Sequence, residues 1–168
     1  MKESQQRKIF DEWLAEYWAL LFKVIRAYAK HGEDQNDLFQ EICLQVYRSI
    51  PNFQRKSAIS TWIYRIALNT SIKWSTKERK HVDGHREIEK VDQVLENKEN
   101  ADDRVDWLYQ KIQEFNEIDR SLSLLLLEGY SYREMSDMMG ISESNIGVKI
   151  HRIKKQLTET AKEYDYGT

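Results

Sequence analysis

The chain has 168 residues, with 26 lysines and arginines against 28 aspartates and glutamates, for a formal net charge of −2. That length allows one domain or two small ones. A near-neutral chain does not coat nucleic acid by bulk charge, so any contact with DNA or RNA must come from placed patches.

A single cysteine, Cys43, excludes an intrachain disulfide and fits a reducing compartment. The charged start MKESQQRKIFDEW lacks the apolar core of a signal peptide. No apolar run approaches the ~18 residues of a membrane span, so a soluble, cytoplasmic protein is expected. One proline, few glycines and a scarcity of alternating β-branched runs point to an all-α chain.

Ile9, Trp13, Tyr17, Leu21, Val24 and Tyr28 return every three or four residues, which fits one long amphipathic helix. His31 and Gly32 suit its end. A second helix is expected from about residue 36 to 50, stopping at Pro51 because proline disfavours the α region for the residue before it. On it Asp37, Glu41, Leu44, Gln45 and Arg48 share one face, while Phe39, Ile42, Cys43, Val46 and Ile50 point elsewhere. Acids there would repel DNA, so that face suits a protein partner or plain solvent. Cys43 reads as core. The polar stretch PNFQRKSAIS follows as a loop, after which Ser60 or Thr61 can cap a third helix, TWIYRIALNTSIKWSTKERK. About four helices are expected in this part.

Residues 54–80 carry seven basic groups and one acid, interleaved with Trp62, Tyr64 and Trp74. Trp62, Arg65, Asn69 and Lys73 lie at steps of three, four and four and share a stripe. Cations track a phosphate backbone, and aromatic rings stack on unpaired bases at roughly 1–3 kcal/mol per base. The stripe as a whole points to opened DNA; core packing is the competing use of each tryptophan.

Charge divides the chain: residues 1–80 hold 14 basic and 9 acidic groups (+5), 81–111 hold 5 and 9 (−4), and 112–168 hold 7 and 10 (−3). The stretch HVDGHREIEKVDQVLENKENADD is polar, acidic and poor in aromatics, the composition of a linker or weak helix. The expected organisation is two small helical domains, at 1–80 and 101–168, joined by an acidic linker at 81–100. His81 and His85 have i, i+4 spacing but no third ligand nearby, so no metal is expected. Gly-rich phosphate loops and nucleophile triads are absent from the sequence, and neither an enzyme, a cofactor nor a small-molecule substrate is expected.

The second domain reads as four helices. Val105, Leu108, Ile112 and Phe115 mark one, and residues 118–128, closed by Gly129, mark another. The third runs from Ser131 to Met139, with Ser131 and Glu134 in the S-x-x-E capping pattern, where each side chain satisfies a free backbone N–H. Gly140 can end it in the left-handed conformation, and Ser142 can cap the fourth. A short helix, a turn and a basic helix make a helix-turn-helix. Ile146, Ile150, Ile153 and Leu157 form its buried stripe. The opposite face carries Ser144, Val148, His151 and Lys155, flanked by Asn145, Lys149 and Arg152. Ser, Asn and Arg can bond to base edges in the major groove. Lys154 and Lys155, with Arg133 on the preceding helix, can reach phosphates. The plainer reading of such cations is complementarity to the negative end of the helix dipole; the capping box, Gly140 and the short-turn-long pattern favour DNA.

These stretches resemble a known family. DLFQEICLQVYRSIPNF…STWIYRIALNTSIKW resembles region 2 of the sigma-70 family of bacterial RNA polymerase sigma factors, and EGYSYREMSDMMGISESNIGVKIHRIKKQL resembles its region 4. The short length and direct step between them are similar to the extracytoplasmic-function (ECF) subgroup. The resemblance implies that Asp37, Leu38, Gln40 and Glu41, with Leu44 and Gln45 on the same helix, bind the β′ clamp of core RNA polymerase. It implies that the loop with Arg55, Lys56 and Ser60, and the helix with Thr61, Trp62, Arg65, Asn69 and Lys73, open promoter DNA at the minus-ten element and capture an unpaired base. It assigns reading of the minus-thirty-five element to residues 142–152, Ser142 included. It further implies a contact with the polymerase β flap and restraint by an anti-sigma factor. The family usually has a basic residue where Gly147 stands, and a Leu-Pro pair where Phe115 and Asn116 stand. The expected function is transcription initiation as an ECF sigma factor. The alternatives are a stand-alone helix-turn-helix regulator and an adaptor that uses helical faces only for protein contact.

Overall fold

The structure, a computed structural model, describes residues 1–82 and 103–166, with side chains described to residue 78 in the first stretch and to 164 in the second. Most of the expected linker, and His85 with it, lies outside the described residues. Those described are helical, without a strand, and the chain divides into two compact units, Met1–Ala101 and Asp102–Thr168.

The first unit contains α1 (Glu3–Tyr28), α2 (Gly32–Ser49), a 3-10 turn (Ile50–Asn52) and α3 (Ile59–Val82). Where about four helices were expected, the fourth is only this turn. Its core is the apolar stripe of each helix. Trp13, Leu21, Val24, Ile25 and Tyr28 come from α1, Leu38, Ile42 and Val46 from α2, and Ile63, Tyr64, Ala67 and Leu68 from α3.

Two junctions differ from expectation. Gly32 opens α2 rather than closing α1, and α2 starts four residues earlier than the apolar pattern suggested. At this junction the buried Gln35 donates from Nε2 to the Ala29 carbonyl at 3.0 Å, taking up an acceptor just past the end of α1. At the other end of α2, Ile50 keeps right-handed helical dihedrals (φ −54°, ψ −46°) although it precedes Pro51. Steric exclusion is therefore not what stops the α-helix. Pro51 has no N–H to give the Tyr47 carbonyl. That oxygen accepts instead from the Ile50 N–H and from Gln6 Nε2 at 2.8 Å, which ties the start of α1 to the end of α2.

The second unit contains α4 (Asp103–Glu114), α5 (Glu117–Leu127), α6 (Tyr132–Met139) and α7 (Glu143–Tyr166). Its punctuation is local and follows the sequence. The Asn116 side chain caps α5 by accepting from the Asp119 N–H at 2.9 Å. Gly129 (φ 83°) ends α5, and the Tyr130 N–H reaches back to the Leu125 carbonyl in a Schellman arrangement. Ser131 and Glu134 form the full capping box, both bonds 3.1 Å. Hydrogen bonding from the Ser131 backbone N–H, and after it from the Ser131 hydroxyl, holds the Glu134 carboxyl below its ordinary pKa. Gly140 (φ 68°) ends α6. Ile112, Leu122, Leu125, Met135, Ile146, Ile150 and Ile153 make the core. Leu157, expected in the buried stripe, is half-buried. At the far end of α7 the Tyr164 ring packs 5.7 Å from Trp107 of α4, so the helix end is braced on the first helix of its own unit.

Candidate nucleic-acid interface

The helix-turn-helix is built as its sequence suggests. Ser142 caps α7, its Oγ accepting from the Asn145 N–H at 3.3 Å and lying 3.3 Å from Ser144 Oγ. Ile146, Ile150 and Ile153 are fully buried and fix the rotation of α7 in the unit. That rotation leaves Ser144, Asn145, Val148, His151, Arg152, Lys154 and Lys155 exposed, with Lys149 half-buried at the edge. Arg133 is exposed in the first turn of α6. One face of α7 thus presents short hydrogen-bonding side chains near its start and cations further along. A helix of this profile can enter a major groove, with base-edge contacts from its first turns and phosphate contacts around them.

Gly147 lies on the flank of that face. A Cβ there would meet the Tyr132 ring, with Cε2 at 3.8 Å and Cδ2 at 3.9 Å. Tyr132, 40% exposed, was not among the expected contact residues. The only hint in the sequence was the missing side chain at Gly147, over which the ring lies.

In the first unit, Arg65, Asn69 and Lys73 form an exposed stripe along α3, and Arg55 and Lys56 are exposed in the loop before it. Arg55 adopts a left-handed backbone (φ 57°), the only non-glycine to do so among the described residues. Trp62, expected on the DNA-facing stripe with core packing as the competing use, is engaged by its own unit. It is half-buried, its Nε1–H donates to Ser49 Oγ at 3.1 Å, and its ring lies 5.3 Å from Phe53. Phe53 in turn meets Trp13 edge-on at 5.4 Å. Trp62 is therefore a brace between loop and core, because an indole with a satisfied N–H and an aromatic neighbour gains most where it is. Ser60 and Thr61 also differ: both are half-buried within α3, which starts at Ile59, and the Trp62 N–H bonds to the Ala58 carbonyl. The first hydrogen bond of the helix springs from Ala58, so neither hydroxyl residue holds the capping position.

On α2 the exposed residues are Glu33, Asp37, Gln40, Glu41, Leu44 and Arg48, with Gln45 half-buried and donating to Glu41 Oε1 at 3.2 Å. Leu44 is an exposed leucine amid charged neighbours. Leu38 corrects the expected partner set: it is fully buried, in one row with Ile42 and Val46. It holds the face from behind and cannot touch a partner.

Between α2 and α3 runs an open groove of about 520 Å³. Glu41, Gln45, Arg48 and Asn52 line one side, and Asn69, Lys73, Trp74 and Lys77 the other. The acidic face and the basic stripe, separate patterns in the sequence, share this groove. Trp74, half-buried, offers it an aromatic surface that Trp62 does not. Cys43 is half-buried, and burial pushes its thiol up to about 11. Among the described residues no three His, Cys, Asp or Glu side chains gather as a metal site, and no described helix is long and apolar enough to cross a membrane.

Models of sigma-70 region 2 and sigma-70 region 4 match residues 13–81 and 107–157. The RNA polymerase sigma-H factor of Pseudomonas aeruginosa is 25% identical over 164 residues, covering 90% of this chain and 85% of that protein. The ECF RNA polymerase sigma-E factor of Haemophilus influenzae is 24% identical over 169 residues, covering 92% and 88%. Among solved structures, the sigma factor RpoE of Bartonella quintana, in complex with the anti-sigma factor NepR, superposes with a TM-score of 0.72 at 18% identity, covering 92% of this chain and 98% of that one. At that identity the likeness is one of fold.

Proposed function

As the chain belongs to the sigma-70 family and is a sigma factor of its ECF subgroup, we propose that it binds core RNA polymerase through α2 and reads promoter DNA through α3 and α7. The observation that carries this reading is the α7 face: seven exposed side chains, six of them polar or cationic, on a helix whose opposite side is locked into a core. In this reading Ser144, Asn145 and Arg152 bond to base edges of the minus-thirty-five element. Arg133, Lys149, Lys154 and Lys155 hold phosphates. Arg55, Lys56, Arg65, Asn69 and Lys73 follow the opened strand at the minus-ten element, and the α2–α3 groove receives an unpaired base against Trp74. Asp37, Gln40, Glu41 and Leu44 meet the polymerase clamp, a charged rim around one exposed leucine.

Binding energy alone is asked of the chain. Extruding a base costs a few kcal/mol, which stacking and groove contacts can offset, and the bond-making chemistry belongs to the polymerase. Small modules with a basic face bind DNA non-specifically at only ~10⁻⁴–10⁻⁶ M. Held by one polymerase, the second contact becomes effectively intramolecular, which reconciles two DNA-reading units with a chain of net charge −2. Such a factor works in the cytoplasm, where restraint by an anti-sigma factor is the expected control.

The test is reconstitution. The full chain, sigma-free core polymerase and promoter DNA should give initiation, and neither the chain nor the core alone should. Tight, palindrome-dependent DNA binding by the chain alone, with no transcript on adding core polymerase, would establish a stand-alone regulator instead. No transcript, with protein association that is unchanged when Lys149, Arg152 and Lys154 are all replaced by alanine, would favour an adaptor.

A further inference from the structure

Val148 is 65% exposed, and of the large apolar side chains described only the terminal Met1 shows as much. Its position makes this odd. The neighbours one helical turn away, Ser144, Asn145, His151 and Arg152, are all polar and exposed, so Val148 is an isolated apolar spot at the middle of the face. The fold gains nothing from it there. A β-branched residue lowers helix propensity, and an uncovered isopropyl group contributes no burial.

We infer that Val148 is a thymine reader: its side chain packs against the C5-methyl group of one thymine in the major groove of the upstream element. This rests on the reading of α7 as the helix that enters that groove. The chemistry selects the ligand. Of the base edges displayed in the major groove, only thymine offers an apolar group; the others present hydrogen-bond donors and acceptors. A valine pressed on those would strip them of water without replacing the bonds lost. Against a methyl group it buries apolar surface on both sides. One position of the element is therefore fixed by a contact without a hydrogen bond, beside the polar contacts of Asn145 and Arg152.

Removing the methyl alone tests it. Holoenzyme assembled from the full chain and core polymerase is used to select upstream elements from duplexes of random sequence, and each thymine of the selected element is then replaced singly by deoxyuridine. That change keeps every hydrogen-bonding group. At one position the wild-type holoenzyme should bind about three- to fivefold more weakly, the worth of one buried methyl. The Val148→Ala holoenzyme, left with Cβ alone, should distinguish thymine from deoxyuridine at that position clearly less than wild type does. Alanine is the better helix former, so loss of folding will not mimic the result, and thermal unfolding of the variant checks this. A selected element without thymine, or equal deoxyuridine profiles for wild type and Val148→Ala, would overturn the inference. So would a variant that loses polymerase association in the absence of DNA, since Val148 would then face protein. Arg152→Ala, run in parallel, separates the levels. If it changes element choice while the methyl scan is flat, only the thymine contact falls; if it too is silent, α7 is not the reader and both fall.

Discussion

Gly147→Ala should stabilise the second unit. Gly147 has ordinary helical dihedrals and sits in the interior of α7, where alanine is better than glycine by about 0.8–1 kcal/mol. The new Cβ would stand 3.8 and 3.9 Å from two carbons of the Tyr132 ring, ordinary van der Waals contact. It would bury a little apolar surface and displace nothing, adding a few tenths of a kcal/mol. The sum is about 1 kcal/mol, or roughly 4–8 °C in the melting of a unit of this size. Gly140→Ala is the contrasting case. Nothing lies within 4 Å of its would-be Cβ, but φ is 68°. A left-handed backbone costs an L-residue roughly 1–2 kcal/mol, so this variant should lose stability despite having more room. Thermal and urea unfolding of the full chain, with amide exchange in α7 to assign the transition to the second unit, measures both. A Gly147→Ala protein no more stable than wild type, or two variants that shift in the same direction, would refute the backbone argument. DNA binding should survive Gly147→Ala, because the position lies on the flank of the exposed face.

Asp37→Arg or Glu41→Arg should weaken association with core polymerase at unchanged melting temperature. Leu38→Ala should instead destabilise the first unit by about 2–5 kcal/mol; co-purification with core polymerase beside calorimetry distinguishes the two, and a fully stable Leu38→Ala would contradict its burial. Arg55→Gly should raise the stability of the first unit by up to about 1 kcal/mol, since it relieves a left-handed arginine, while lowering promoter opening through loss of a charge. A drop in the urea midpoint would show that the Arg55 side chain is anchored. With its thiol at about 11, Cys43 should be roughly one-thousandth thiolate at pH 8. Alkylation of the native chain should therefore be slow at that pH, speed up as pH approaches 11, and become fast at pH 8 once urea unfolds the chain. Rapid labelling of native protein at pH 8 would contradict the burial.

Much of this molecule could be read from its sequence because much of it is decided within four residues. The capping box at Ser131 and Glu134, the Ser142 cap and the left-handed glycines at 129 and 140 are closed by neighbours in the chain, and they place α6 and α7 almost residue by residue. The rotation of α7 was equally legible, since the isoleucine spacing already says which side is buried. On α2 the spacing put Asp37, Glu41, Leu44 and Arg48 on one face and left Leu38 off it. Only the motif resemblance drew Leu38 into the partner set, because a motif records which residues occur together without recording which way each one points.

The rest was decided by contacts between one element and another. Gln35 of α2 reaches back over the turn to the Ala29 carbonyl past the end of α1, a contact that apolar spacing does not record. Gln6 reaches more than forty residues ahead to a carbonyl that Pro51 leaves open. Trp62 becomes a brace because Ser49 and Phe53 are waiting for its N–H and its ring. The α2–α3 groove exists only where two helices with different patterns lie side by side. A sequence fixes the periodicity of each helix, and with it the angle of each face. Which polar atoms and rings meet across helices depends on how those faces pack in three dimensions, and that is where a side chain open to DNA or a partner is told apart from one committed to the fold.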